Sequence, residues 1–135
     1  MTGFSRSRVE EMLAADPYAR WLGVELVSVT DDEITVGMEV GPHHLNFLDV
    51  GHGGMVFSLA DCAFSLGSNA SGERAVAIDT HLVLTAASRL GDLLRATVTE
   101  ASRGRTLGTY RVDITRQDGR KVGLFTGTVH ITRSD

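Results

Sequence analysis

One carboxylate in this chain sits where a carboxylate is expensive. Asp61 lies inside the run from Met55 to Leu66, which is otherwise built for burial. The run reads as a helix. On it Gly54, Ser58, Asp61, Ser65 and Ser68 recur at spacings of three and four, forming one narrow stripe. An acid on a stripe of small polar residues must face water, a partner or a ligand. Such a carboxylate can activate water as a general base or attack an acyl carbon itself, and the residues leave both open. His52-Gly53-Gly54 stands directly before it. The first N–H groups of a helix are unpaired and partly positive, so they suit a developing oxyanion, and glycines let a carbonyl approach closely. Read singly, the glycines ease a tight loop-to-helix junction and Asp61 bonds backbone or another subunit's arginine. Read together, they point to catalysis.

The neighbouring polar residues carry less. His52 could bond a substrate or orient a loop, and the Asn46 amide could position water or cap the loop. His43, His44, His52 and Asp49 raise the idea of a metal. The adjacent histidine pair lacks familiar ligand spacing, so no metal is expected. No cofactor is expected either. The single cysteine, Cys62, has no basic neighbour to lower its pKa and reads as a small buried hydrophobe. It cannot form an internal disulfide, which fits a reducing compartment. His81 falls on a strand and is expected to pack against a neighbour.

Composition excludes whole classes of function. A net charge of −4 leaves no basic face for nucleic acid. The opening MTGFSRSRVEE has no long apolar run, and no uncharged segment approaches the roughly 20 residues needed to span a bilayer. A cytoplasmic protein without membrane association is expected. With 135 residues, 42% of them hydrophobic, the chain can bury one core, so residues 1–135 read as one domain.

The elements that must position Asp61 follow from periodicity. Ser7-Arg8-Val9-Glu10 fits a capping box for a short helix with Val9, Met12 and Leu13 inward. Asp16-Pro17 starts a second turn, Tyr18, Trp21 and Leu22 are placed inward, and Gly23 ends it. Val24 to Thr30 is strand-like. Glu33 to Val40 alternates, with Ile34, Val36, Met38 and Val40 on one face. The long helix spans Gly53 to about Ser71, roughly 28 Å at 1.5 Å per residue. Strands are expected over Ala75–Thr85, Leu93–Ser102, a stretch around Tyr110, Val112 and Ile114, and Lys121–Thr132. A bend at Arg103-Gly104-Arg105 and a hairpin at Gln117-Asp118-Gly119 separate the later ones. Two strands, a buried helix and four strands predict an α+β hotdog fold. In it a curved six-stranded antiparallel sheet wraps one long central helix.

Leu45-Asn46-Phe47, His52-Gly53-Gly54 and Phe57-Ser58-Leu59-Ala60-Asp61 resemble the PaaI-type hotdog thioesterases, the phenylacetate-degradation group. Ser102-Arg103-Gly104-Arg105-Thr106 and Gln117-Asp118-Gly119 are similar too, so the resemblance covers most of the chain. It implies hydrolysis of acyl-CoA thioesters, often aryl-acetyl ones, by a homo-oligomer: a dimer, or a dimer of dimers forming a homotetramer. It implies that Asp61 is the general base or nucleophile. The Gly53 N–H would polarise the thioester carbonyl, and Asn46 and His52 would assist. Gly54, Ser58 and Ser65 would line the substrate, and Arg89, Arg103 and Arg105 are the candidates for the phosphates of CoA. The segment Thr85-Ala86-Ala87-Ser88-Arg89 departs from the pattern, since relatives commonly carry a proline there. Two other readings share the fold: a hydratase or dehydratase acting on acyl thioesters, and a non-catalytic acyl-CoA-binding module. A hydratase usually keeps its carboxylate near the helix start. Asp61 lies eight residues in, which suits hydrolysis.

Overall fold

Alternation along the strands builds one wall of the core. Ile34, Val36, Met38 and Val40 all turn inward and none is more than 5% exposed. Tyr110, Val112 and Ile114 do the same on a later strand, at 1% or less. The computed structural model describes residues 4–132. Its helices are α1 (Arg6–Ala14), α2 (Pro17–Leu22) and α3 (Gly53–Asn69), with a short 3-10 turn at Pro42–His44. Its strands are β1 (Glu25–Val29), β2 (Glu33–Glu39), β3 (Arg74–Leu84), β4 (Leu93–Arg103), β5 (Leu107–Arg116) and β6 (Lys121–Thr132).

The strands form one sheet in the order β1-β2-β4-β5-β6-β3, and every neighbouring pair is antiparallel. Register shifts at Leu26/Ser28, Ala77/Asp79, Glu100/Ser102 and Ile114/Thr115 interrupt the ladders. Bulges of this kind bend strands, and they let the sheet curl around α3. α3 touches β2, β3, β4, β5 and β6. This is the α+β hotdog arrangement that the order of elements predicts.

Two glycines let helix and sheet meet this closely. A Cβ on Gly67 would stand 2.9 Å from both Val98 methyls, and one on Gly127 would stand 2.7 Å from the Phe64 ring. Either substitution would force the helix off the sheet, because real Cβ contacts do not come that close.

Several local expectations need correction. α1 is capped by Ser5, whose Oγ accepts the Arg8 N–H at 3.4 Å, and no capping box forms at Ser7. Asp16 caps α2 as expected, accepting the Ala19 N–H at 3.0 Å, and Gly23 closes it with φ 94°. Leu22 turns inward, but Tyr18 and Trp21 are 53% and 62% exposed and stack on each other. α2 has only six residues, and Ala19 and Leu22 already fill its inner face. α3 stops at Asn69 rather than near Ser71. The Asn69 amide bonds both the N–H and the C=O of Ala75 and ties the helix end to β3. His81 is exposed on β3, which forms one edge of the sheet.

Candidate active site

The loop before α3 is pinned from several sides. The Asn46 Oδ1 accepts the N–H groups of Leu48 and Val50, drawing residues 46–50 into a tight turn in which Asp49 has φ 60°. His44 is buried; its Nδ1 accepts the Gly41 N–H at 2.9 Å and its Nε2 faces the Leu22 carbonyl oxygen at 2.8 Å. The His44 carbonyl in turn receives the His52 N–H at 2.8 Å, and the Ser88 carbonyl receives the Gly51 N–H at 2.7 Å. His44 is therefore structural, and its surroundings lower its pKa, first through burial.

This pinning sets the start of α3. His52 is the N-cap, with φ −67° and ψ 136°, and its Nδ1 accepts the Gly54 N–H at 2.8 Å. Its carbonyl oxygen accepts the N–H groups of Met55 and Val56. Among the described residues the Gly53 N–H has no acceptor, so it alone of these four is left to a ligand. It borders a cavity of about 400 Å³, whose lining includes Asn46, Gly51, Gly53, Val56, Leu84 and Ser88. The structure thus brings Asn46 and Gly53 to one cavity. Gly54 is not part of its lining and gives its N–H to His52. Another cavity, of about 460 Å³, lies by Trp21, Glu39, His43 and Arg95 and holds none of the proposed catalytic residues.

Asp61 is half-buried and lies two turns further along α3. Burial, aided by the nearby Asp16 carboxylate, holds its pKa above the ordinary carboxylate range. Ser58 on the same stripe bonds the Tyr18 hydroxyl at 2.8 Å, and Ser65 is exposed. Ser68 does not join them, because it is buried and donates to the Phe64 carbonyl at 2.8 Å. Cys62 is buried, and that burial, with Asp16 and Asp61, pushes its thiol up to about 12, so it is no nucleophile. No cluster of metal-ligating side chains occurs among the described residues.

The arginines separate. Arg89 follows Ser88 at the cavity and its side chain is exposed. Arg103 lies at the other end of α3, where its guanidinium bonds the Ser68 carbonyl, the Tyr110 hydroxyl and Glu73. At 10% side-chain exposure it braces β4 against the helix, with its guanidinium engaged by protein groups. Arg105 sits exposed in the hairpin beside it. Sequence reasoning gave no site role to Ser88, because its loop has no periodicity. The available signal was Gly51, a glycine with no turn to explain it.

Residues 49–123 match the family model described as the thioesterase superfamily, which is more than half of the chain. The Escherichia coli acyl-coenzyme A thioesterase PaaI is 34% identical over 119 residues, covering 88% of this chain and 85% of that protein. The solved structure of the E. coli PaaI protein superposes with a TM-score of 0.91 at 32% identity, over 95% of this chain and 93% of that one. A hypothetical thioesterase protein of Streptococcus pneumoniae, solved with coenzyme A, gives a TM-score of 0.78 at 31% identity. That match covers 83% of this chain and 92% of that one. The chain belongs to the thioesterase superfamily, and within it to the PaaI-type hotdog thioesterases.

Proposed function

We propose that this protein is an acyl-CoA thioesterase that hydrolyses small aryl or aryl-acetyl CoA thioesters to the free acid and CoA. The observation that carries the reading is the Gly53 N–H, the one unclaimed donor of a capped helix start, at the edge of a cavity. The S. pneumoniae relative solved with coenzyme A supports CoA as the carrier.

In the proposed reaction Asp61 takes a proton from water as the oxygen adds to the thioester carbon. Gly53 N–H holds the resulting oxyanion, whose collapse expels CoA thiolate, and Asp61 returns the proton to the sulfur. A carboxylate whose pKa is raised is a stronger base near neutral pH, which suits general-base work. Asn46 positions the thioester or the water, and His52 holds the helix start in shape. Ser58 and Ser65 flank the acid, and Arg89 meets a CoA phosphate. The work is done in the cytoplasm, where the lone Cys62 stays reduced.

The site is shared between two subunits. Eight residues of helix place Gly53 and Asp61 of one chain about 12 Å apart along the axis. The β3 edge, with Val76, Ile78, Val83 and Leu84 all 45% exposed or more, supports a dimer built edge to edge. Two such dimers would complete a homotetramer.

The test is thiol release from phenylacetyl-, benzoyl-, hexanoyl- and acetyl-CoA. Fastest release from an aryl substrate is expected; no release from any of them would end the proposal.

A further inference from the structure

Ser88 holds the single buried side-chain oxygen or nitrogen without a hydrogen-bond partner among the described residues. The residue is 2% exposed, and its carbonyl is fixed by the Gly51 N–H at 2.7 Å. Its hydroxyl lies against Gly51, in the space that a side chain there would take, so a Cβ on Gly51 would overlap Ser88 Oγ. Gly51 has no left-handed backbone that would demand glycine. The close approach of Ser88 is what that glycine serves. Both residues line the cavity bordered by Gly53.

A buried hydroxyl with no protein partner is a cost that a hydrogen bond to a ligand can offset. The helix start has a matching shortage. His52 consumes the Gly54 N–H and the next two N–H groups, so the backbone offers one donor where an oxyanion site usually presents two or more. Gly51 and Gly53 are two residues apart, which keeps Ser88 Oγ within roughly 10 Å of the Gly53 N–H. Two acceptors of an acyl-CoA come within that span, the thioester carbonyl and the first amide carbonyl of the pantetheine arm. We propose that Ser88 is a substrate-binding residue whose hydroxyl donates a hydrogen bond to a carbonyl oxygen of the bound acyl thioester. This rests on the thioesterase reading above.

The experiment compares wild type with Ser88→Ala, which deletes the hydroxyl and keeps the backbone bond to Gly51. The probe is a phenylacetyl-CoA ketone analogue in which CH2 replaces the thioester sulfur. It keeps both carbonyls and cannot be hydrolysed. Calorimetric titration should show Ser88→Ala binding it roughly three- to tenfold more weakly, the usual effect of one neutral hydrogen bond. Thermal unfolding should show the variant no less stable, since it loses a hydroxyl that had no partner. Hydrolysis of an N-acetylcysteamine thioester against an S-ethyl thioester, which lacks the amide, then distinguishes the two carbonyls. A penalty on both thioesters assigns Ser88 to the thioester oxygen; a penalty confined to the first assigns it to the amide. If wild type binds the analogue but releases no thiol from any substrate, the thioesterase reading falls while the binding comparison still judges Ser88. Equal affinities, no binding by wild type, or a marked loss of stability in Ser88→Ala would each overturn the assignment.

Discussion

The His52 imidazole accepts the Gly54 N–H at 2.8 Å, and that bond decides what the start of α3 can offer. A helix start has four orphan donors. Here the His52 N–H goes to the His44 carbonyl, the Gly54 and Met55 N–H groups go to the His52 ring and carbonyl, and the Gly53 N–H is left to the cavity. Cap and candidate oxyanion site are therefore one structure, built from three consecutive residues.

His52→Ala should destabilise the fold by about 1 kcal/mol, the usual cost of losing an N-cap side chain. It should also lower kcat by letting the helix start fray. His52→Asn, which restores a capping acceptor, should recover most of the stability and much of the turnover. Thermal unfolding and steady-state kinetics on both variants check this. A His52→Asn that is stable yet as inactive as His52→Ala would show that the imidazole touches the substrate.

Asp61→Asn should reduce hydrolysis by about a hundredfold or more, the lower range for removing a general base. It should not unfold earlier than wild type at neutral pH. Because burial raises the folded pKa of Asp61, its ionised form is a burden on the folded state. That burden is absent below the unfolded pKa and grows as pH rises through the folded one. The stability gap between variant and wild type should therefore open with rising pH and close in acid. A gap that runs the other way would show Asp61 bonded as a carboxylate in the folded protein.

These features differ in how plainly the sequence shows them. The carboxylate on an apolar helix, the glycines before it and the alternation of β2 and β5 are local patterns, and each is where its pattern puts it. Tyr18 and Trp21 read as inward because they are large and apolar. Only the finished packing reveals that Ala19 and Leu22 leave them no room. Arg103 looks like any strand-end cation until β4 brings it beside Ser68, Glu73 and Tyr110. Ser88 and Gly51 are 37 positions apart, and nothing local links a loop serine to a distant glycine.

The His44 ring should make the protein acid-sensitive. One ring nitrogen accepts from the Gly41 N–H, so the folded state needs that nitrogen unprotonated, and burial holds the pKa below its ordinary 6.5. Below about 6.5 the unfolded chain takes up a proton that the folded one refuses, so stability falls as pH drops through that window. His44→Gln, which does not titrate, should show a shallower decline in unfolding temperature from pH 7.5 to 5.5. Identical slopes would mean that other groups set the acid response.

The outer edge of β3 should be the principal subunit contact. Its ladder is satisfied by β6 on one side only, and Ile78 is 60% exposed upon it. Ile78→Lys should shift the light-scattering mass at micromolar concentration from dimer or larger to monomer, and activity should fall with it. A variant that stays dimeric and active would move the interface elsewhere.

The most demanding prediction concerns the sharing of sites. The Asp61 side chain leans toward the helix start, yet a short carboxylate closes only part of the roughly 12 Å to its own Gly53. Two chains related by a twofold axis can each give a helix start to one site and an Asp61 to the other. Gly53→Pro removes the N–H at the first helical position, where proline is tolerated. His52, with ψ 136°, already has the extended backbone that must precede a proline. The added ring meets Leu84 Cδ1, 3.0 Å from where a Cβ would stand, and that is the movable end of a flexible side chain. Gly53→Pro and Asp61→Asn should therefore both fold, and each alone should be inactive. Unfolded and refolded together in equal amounts, half the dimers are mixed and each mixed dimer regains one intact site of two. Activity should return to roughly a quarter of wild type. Mixed dimers verified by mass spectrometry but inactive would show that each chain completes its own site.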